Sequence, residues 1–565
     1  MTNSLSCLNY NCNSNIIKAI LTCYKFIANL CFDYYCKTKY FVFFIMFLNS
    51  VAVNYFYYKC FNNTSNKLIL FLSYTINLNG CIIIKLIQWT NNQLLFFKNN
   101  NSNNTKFISE VFSKYYENCY VHNISYTKSL FYEEFGIKFD DFVELDTNYT
   151  IKSGSIAQVY KGTIKPPYNT SINSCIGANE SCIGANDSCV SVAIKVVHPE
   201  IEYQMLFPIY FINIYKFFVS TFTFLKKYDT IIDYDSFFYN LRNQINMVNE
   251  YENNIYFYNK YINNDVIVIP KPLIKSKNFL IMEYIEGEFL EKMDVSIYKK
   301  QILMSFLSIF IKDTYMFGKY IHCDLHDANW KVLKQKKNKL YSDNGKDDGD
   351  DGDDGDDGDD GFIYKIVIYD FGYIIENNSN EHIKNLIYYL DLNNTYEIGK
   401  ILFEHIENLK IKSTNSLEFL DYKENLISTF VKYNERCYPY TESNLLACYN
   451  FCHSNEYKLK NNLLDLFVSI MLLNKYFKKY LFSDCINDDT NCFNEKKYYD
   501  SVYNINLFYI SICEKYDIFH NVKDFLNNKY INNSFFIEKI NYNNSYFNSL
   551  LNDKDLVNKN NNFDI

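Results

Sequence analysis

Hydrophobic and polar positions recur with different periods along this chain. In NIIKAILTCYKFIANL, Ile16, Ile17, Ile20, Leu21, Tyr24 and Ile27 fall at roughly helical spacing with Lys18 and Lys25 between them, and the first 32 residues contain no Asp or Glu. Such a segment is either an ordinary amphipathic helix or an organelle-targeting presequence, and its lack of arginine counts against the second. The run YFVFFIMFLNSVAVNYFYY, Tyr40 to Tyr58, is uncharged and as long as a bilayer-spanning helix requires. Asn49 and Asn54 interrupt it, so a single span, a membrane-lying helix and a buried core helix all fit. Further on, GSIAQVYKGTI and VSVAIKVV read as strands and QINMVNEYENNIYFY as a helix. NFLIMEYIEGEFL reads as a buried strand ending in a polar hinge, ILMSFLSIFIKDTYMFG as an apolar helix, and WKVLK and YKIVIY as short strands.

At 565 residues, with 48% hydrophobic and 18% aromatic content, there is material for two or more domains and a sizeable core. The net charge of −8 describes an insert: ten aspartates between Asp347 and Asp360 stand in one repeat, and without them the balance is +2. No nucleic-acid partner is expected. Eighteen cysteines are scattered without a compact disulfide framework or a paired CxxC zinc pattern, which favours a reducing compartment. SCIGANESCIGANDSC lies between two strand-like segments as an expanded hairpin loop; no histidine or closely spaced second thiolate completes a metal site around Cys175, Cys182 and Cys189. DDGDDGDDGDDGDDG is a solvated linker that lacks the ligand spacing and terminal glutamate of an EF-hand. The Asn-rich patches near Asn99 to Asn104 and at the C-terminus read as disordered.

The chemistry gathers in IHCDLHDANW. Asp324 and Asn329 stand five apart between an apolar helix and a short strand, a spacing that offers a carboxylate beside an attacking hydroxyl or water and an amide oxygen for a Mg²⁺ on nucleotide phosphates. His322 and His326 can brace that loop from within. Alone, D and N at such a place also make ordinary caps and turns. Four further features occur in the order a kinase requires. Lys195 sits on the alternating strand VSVAIKVV, where an inward lysine calls for an anionic partner such as phosphate. Glu250 on the following helix can pair with it. Glu283 and Tyr284 lie at the hinge, where adenine could bond to backbone. Asp370 ends an apolar strand, placed to ligate Mg²⁺, with Gly372 permitting the turn after it.

These motifs resemble the UbiB or aarF-domain family of atypical kinases, and most closely its aarF-domain kinase 2-like branch. IIKLIQWTNN is similar to the family's KxGQ motif, giving Lys85 and Gln88. KSGSIAQVYKG is similar to its nucleotide loop, giving Ser153, Gly154 and Ser155; QINMVNEYENN resembles the ExD…REAxN helix and HCDLHDAN the HxDxHxxN loop. Departures are also plain. Gln244 and Asn246 replace the ExD carboxylates, Ile87 replaces the KxGQ glycine, and Val248 and Asn249 stand where basic residues precede the helix glutamate.

The resemblance implies an α+β, protein-kinase-like two-lobed fold with an N-terminal helical extension laid over the cleft. The expected division is a targeting or membrane-associated segment over 1–66, a helical extension over 67–150, an N-lobe over 151–282 with the insert 166–190, a C-lobe over 283–540 with the insert 342–361, and a tail over 541–565. It also implies ATP and Mg²⁺ as cofactors, and a role in ubiquinone biosynthesis or quinone and lipid homeostasis in a mitochondrion or plastid-like organelle. Implied partners are a quinone or lipid precursor, a membrane surface and a biosynthetic protein complex. A choline- or aminoglycoside-kinase-like phosphotransferase shares the HxDxHxxN loop but needs no upstream cleft-covering helix, and a non-catalytic nucleotide-binding scaffold fits the altered QxN and Ile87.

Overall fold

The computed structural model describes residues 3–61, 65–94, 119–165, 190–222, 234–336, 362–377, 380–406, 417–434, 441–455, 457–460, 463, 466–467, 469–470, 480 and 495–532, with side-chain burial from residue 27 onward. The cysteine repeat, the Asp-Gly tract, the Asn99 to Asn104 patch, the Trp89 side chain and the C-terminal tail lie outside the described residues.

In chain order the first helices are α1 (Asn3–Phe61), α2 (Asn66–Asn79), α3 (Cys81–Leu94) and α4 (Ile124–Phe135). Strands β1 (Val143–Leu145), β2 (Lys152–Ser153), β3 (Ala157–Ile164) and β4 (Ser191–Val197) follow, then α5 (Ile201–Thr221), α6 (Tyr234–Ile245) and α7 (Met247–Tyr261). Strands β5 (Ile267–Val268), β6 (Pro272–Lys275) and β7 (Phe279–Glu283) lead to α8 (Ile297–Phe317). Strands β8 (Tyr320–His322), β9 (Trp330–Lys336), β10 (Phe362–Ile368) and β11 (Ile374–Glu376) come next, and α9 (Asn380–Asp391), α10 (Thr395–Glu404) and further helices out to Leu526 complete the α+β arrangement that the sequence led us to expect. Contacts divide the chain into two compact units. One holds Met1–Gly136, Tyr149–Tyr160 and Lys195–Asp229; the other holds Ile137–Asn148, Lys161–Ile194 and Thr230–Ile565.

In the first unit, the two separate segments suggested by hydropathy are one helix, α1, because nothing between them breaks helical geometry. Its packed side chains are few: Cys36, Tyr40 and Phe44 are buried, while Ile27, Phe32, Phe41, Val53 and Phe56 are exposed. Phe44 joins Ile76 of α2 and Ile83 and Ile84 of α3 in a core cluster, and Ile87 packs against it, so the side chain that replaces the family's glycine is used as core. The start of α3 is capped from a distance: Cys81 N–H donates to Gln204 Oε1 at 2.7 Å, and Gln204 Nε2 donates to Tyr40 Oη at 3.2 Å. Gly80 precedes that cap with φ +75°, and a Cβ there would lie 2.5 Å from Gln204 Oε1, so both conformation and space demand glycine. Lys39 Nζ and Tyr40 Oη both donate to Glu200 Oε2, at 2.7 and 2.8 Å.

The larger sheet runs in the order β1-β3-β4-β7-β6, with Val143 opposite Ile164 and Ile164 N–H donating to Val190 O. Strands β3 and β4, which flank the cysteine repeat in the sequence, are neighbours in the sheet. Strands β9 and β10 likewise pair antiparallel from Phe362 opposite Lys336 to Ile368 opposite Trp330, so the Asp-Gly tract joins the two arms of a hairpin. Helix α8 is apolar on nearly every face and buried from Leu303 to Met316 apart from Lys312, the signature of a central core helix. Its Asp313 accepts from Tyr261 Oη at 2.6 Å and pairs with Lys260 Nζ at 2.5 Å. The segment expected as one helix through Gln244 to Tyr258 is two. Asn246 interrupts it as an N-cap, its side chain accepting from Val248 N–H at 3.2 Å, which ends α6 and begins α7. Asn123 and Asn394 cap α4 and α10 in the same way, at 2.9 and 3.2 Å.

Candidate functional site

The site in the second unit is built where β8 pairs with β11, Ile374 opposite His322, which sets the start of the HCDLHDAN loop against the turn that follows Asp370. His322 is fully buried and bonds both sides. Its Nδ1 accepts from Asp324 N–H at 3.2 Å, so the ring hydrogen sits on Nε2, which donates to Asp370 O at 2.8 Å. Burial holds this imidazole below its ordinary pKa, against the opposing pull of Asp324 and Asp370, and keeps it neutral. His326 caps the short 3₁₀ turn Asp327–Asn329, its Nδ1 accepting from Ala328 N–H at 3.3 Å. Asn329 Nδ2 donates to Asp324 O at 2.6 Å and its carbonyl accepts from Tyr369 N–H at 2.8 Å, which leaves Oδ1 as the amide's acceptor for a cation. Both histidines thus accept a backbone N–H from within the loop.

The turn after Asp370 differs from expectation in its physical basis. Asp370 itself, not Gly372, occupies the left-handed region, at φ +53°, a conformation that costs a non-glycine residue about 1–2 kcal/mol and is held here by the bond from His322. At Gly372 a Cβ would make a tight contact of 3.1 Å with Asp370 Oδ1 and an ordinary one of 3.4 Å with Glu250 Oε2, while Gly372 N–H donates to Asp370 Oδ1 at 3.1 Å. Glu250, buried on α7, thus places its carboxylate beside the same turn. Phe371 is buried and stacks on Phe257 of α7 at 4.8 Å, and its carbonyl accepts from Asn253 Nδ2 at 2.9 Å.

The remaining expected residues sit as follows. At the hinge, Glu283 N–H and Tyr284 N–H already donate to Lys271 O and Ser191 O, at 2.8 and 3.0 Å, so carbonyls rather than amides remain there for a base. Glu283 and Tyr284 line a cavity of about 520 Å³ with Leu333, Gln335 and Lys365; Asp324, Asn329 and Asp370 do not line it. In the first unit, Lys195 is half-buried on the face of β4 shared with Ser191 and Ala193, opposite the fully buried Val192, Ile194 and Val196. Ser153 Oγ donates to Tyr120 O at 2.7 Å, and Gly154 N–H donates to Ala157 O at 3.0 Å, closing the Ser153–Gly154–Ser155 turn. Gln88 is buried and Lys85 half-buried on α3. The Lys85 ammonium pulls down the Cys119 thiol, which burial nonetheless pushes up to about 12, and Cys119 N–H donates to Ser153 O at 3.0 Å, so Lys85 lies close to the strand that carries the turn.

Within the second unit, then, His322, Asp324, His326, Asn329, Asp370 and Glu250 come together, while Lys195, Lys85, Gln88 and the Ser-Gly turn belong to the first. Sequence reading missed Asn253, although an asparagine one turn after Glu250 on the same helix face is a usable signal. Among the described residues there is no group of three or more His, Cys, Asp or Glu side chains that could hold a metal ion. An amide oxygen and a carboxylate are hard oxygen donors, and Mg²⁺ characteristically takes one or two such protein ligands and fills the rest of its octahedron with phosphate and water.

The ABC1 atypical kinase-like domain matches residues 184–401. A curated relative, an ABC1 family protein of Schizosaccharomyces pombe described as mitochondrial, is 29% identical over 133 residues, and the match covers 22% of this chain and 18% of the relative's length. Among solved structures, Rv3197 of Mycobacterium tuberculosis, in complex with erythromycin, is 13% identical, covering 64% of this chain and 83% of that one at a TM-score of 0.35. The Rio2 kinase of Chaetomium thermophilum, in its ADP/Mg²⁺-phosphoaspartate complex, is 9% identical, covering 67% and 87% at a TM-score of 0.25.

Proposed function

Because residues 184–401 match the ABC1 atypical kinase-like domain, we propose that the chain binds Mg-ATP and acts as an ATPase or atypical kinase supporting ubiquinone biosynthesis or quinone and lipid homeostasis at a mitochondrial membrane. The observation that carries this reading is the bonding of the 322–329 loop to the 369–372 turn through His322 and Asn329. Asp324 is the group that accepts the proton of the attacking hydroxyl or water and orients it. Asn329 and Asp370 would hold Mg²⁺, which when bound neutralises charge on the nucleotide phosphates. His322 stays neutral and fixes the Asp324 amide and the Asp370 carbonyl at once, so that loop and turn move as one body. Lys195, Glu250 and the Ser153–Gly154–Ser155 turn take the phosphate-holding roles that the family resemblance gives them, and Lys85 and Gln88 the regulatory one. Membrane association rests on the stretch Ile27–Phe61 of α1, whose most apolar 18-residue window has a mean hydropathy of 1.5, with exposed Phe71 and Tyr74 on α2 and Phe211, Ile214 and Phe217 on α5.

Purified protein tests this with and without lipid or a quinone precursor. ADP or ATP is expected to raise the melting temperature only with Mg²⁺, and Asp370→Asn to remove that dependence. Equal stabilisation in EDTA and in Mg²⁺ would overturn the metal assignment. Nucleotide binding without turnover would select a non-catalytic scaffold, and robust phosphate transfer to a mixed protein pool would select a conventional protein kinase.

A further inference from the structure

The first unit contains a buried polar chain that the motifs did not announce. His198 follows β4 and His122 precedes α4; both are buried, and their Nδ1 atoms lie 3.0 Å apart. His198 Nε2 is 3.0 Å from Gly154 O and 3.4 Å from Ser153 Oγ, and the main chain of the same residue donates to Ile156 O at 3.0 Å. One residue thus grips the Ser153–Gly154–Ser155 turn at both ends. At the other end of the chain, His122 Nε2 is 3.0 Å from Thr127 Oγ1, which is 3.0 Å from Tyr160 Oη. Gln158 Nε2 in turn donates to Tyr160 Oη and, at 3.2 Å, to His122 O, while Gln158 Oε1 accepts from His122 N–H at 2.9 Å.

Donor and acceptor chemistry gives this chain one direction. A carbonyl only accepts, so His198 Nε2 carries hydrogen. In a neutral ring its Nδ1 is then bare and must accept from His122 Nδ1–H. His122 Nε2 is bare in consequence and accepts from the Thr127 hydroxyl, whose oxygen accepts from Tyr160, whose oxygen accepts from Gln158. Every hydrogen is used once and every bond points towards Gly154. Burial supports the neutral forms, holding His122 at about 3, with His198 as a lesser cause, and His198 at about 4.

We propose that His198, with its tautomer dictated through His122 by Thr127, Tyr160 and Gln158, is the positioning residue of the nucleotide turn, delivering a fixed hydrogen bond to the Gly154 carbonyl so that the turn meets phosphate already shaped. This rests on the nucleotide reading above. A turn that has to be ordered at the moment of binding loses affinity, and pre-organisation removes that loss.

Two measurements decide it on the full chain. With only eight histidines, ¹⁵N-histidine labelling resolves ring tautomers directly: an Nε2–H form at His198 and an Nδ1–H form at His122 are expected, and the reverse pair would overturn the proposal without any variant having to fold. In parallel, His198→Ala should weaken Mg-ADP binding and raise the KM for ATP ~10-fold, the scale of a buried carbonyl left without its donor, with kcat little changed. His198→Gln, whose amide can both donate to Gly154 O and accept from His122, should recover most of that loss. Affinity unchanged in His198→Ala while the wild type binds would overturn the positioning role and leave the nucleotide reading standing. A wild type that binds no nucleotide with Mg²⁺ would overturn both.

Discussion

Two backbone carbonyls in this protein are gripped by buried neutral histidines, and the two grips are built differently. His322 reaches Asp370 O in the second unit and is set by its immediate neighbourhood: the amide two residues on fixes its tautomer, and the Phe371 ring meets it in a T-shaped contact with centroids 5.3 Å apart. His198 reaches Gly154 O in the first unit, and its tautomer is set by side chains handing a hydrogen bond along from Gln158. The local grip joins the two loops that carry Asp324 and Asp370. The relayed grip shapes one turn and can be disturbed from far away. A histidine fixed by a neighbouring amide has one point of failure, whereas one fixed by a relay has several.

The sharpest way to break the comparison is to show that both grips act on the same kinetic parameter. His322→Ala should lower kcat ~100-fold, since a displacement near 1 Å at reacting groups has that effect, and should change KM little; steady-state kinetics on ATP beside His198→Ala reads the split, and a matching rise in KM for both would erase the distinction. Next in size, Gly372→Ala places a methyl 3.1 Å from Asp370 Oδ1 and 3.4 Å from Glu250 Oε2. Overpacking of that kind costs ~1–3 kcal/mol. It should raise the Mg²⁺ concentration needed for half-maximal turnover while leaving Mg-free folding nearly unchanged in a thermal scan, and an unaltered Mg²⁺ requirement would remove that turn from the metal site.

Acid should separate the two grips from stability rather than from rate. His122 and His198 have folded pKa values of about 3 and about 4, below the ordinary value of 6.5, and His322 is also lowered by burial. The unfolded chain therefore takes up protons below about pH 6.5 that the folded one refuses until much lower, so their stabilising contribution is complete above pH 6.5 and is lost as pH falls towards 4. The expected slope is up to ~1.4 kcal/mol per pH unit for each histidine. Urea unfolding at pH 7 and pH 5 measures it, and His122→Gln should flatten the slope; a slope that the variant leaves intact would place the acid sensitivity elsewhere. The smallest effect belongs to the Asp-Gly insert. Because β9 and β10 pair in full register on either side of it, removing Asp347 to Asp360 should change stability by no more than ~0.6 kcal/mol, the cost of a twofold change in loop length, and a shortened chain that failed to fold would make the tract structural.

What was legible in the sequence follows the same division. Asp324, Asn329, His322 and His326 lie within eight positions, so their closeness in space and their order relative to Lys195, Glu250 and Asp370 could be read directly. The hairpins that carry the inserts were legible because strand periodicity on each side survives the insertion. The pair His122 and His198 was not, since its partners are 76 residues apart and no spacing rule connects them. Helix α7 was visible from its apolar face, but Asn246 looked like a lost carboxylate and is a helix cap. The left-handed Asp370 has no signature at all in a string of residue names.

Asn123, Asn246 and Asn394 each open a helix with a side-chain acceptor. Asparagine ranks with serine and aspartate at that position, and inside a helix it falls below Ala, Leu, Lys and Glu. A chain rich in asparagine therefore loses least where those residues stand at helix starts. The composition that suggests unstructured sequence is, at these three places, an inheritance that the fold has put to use.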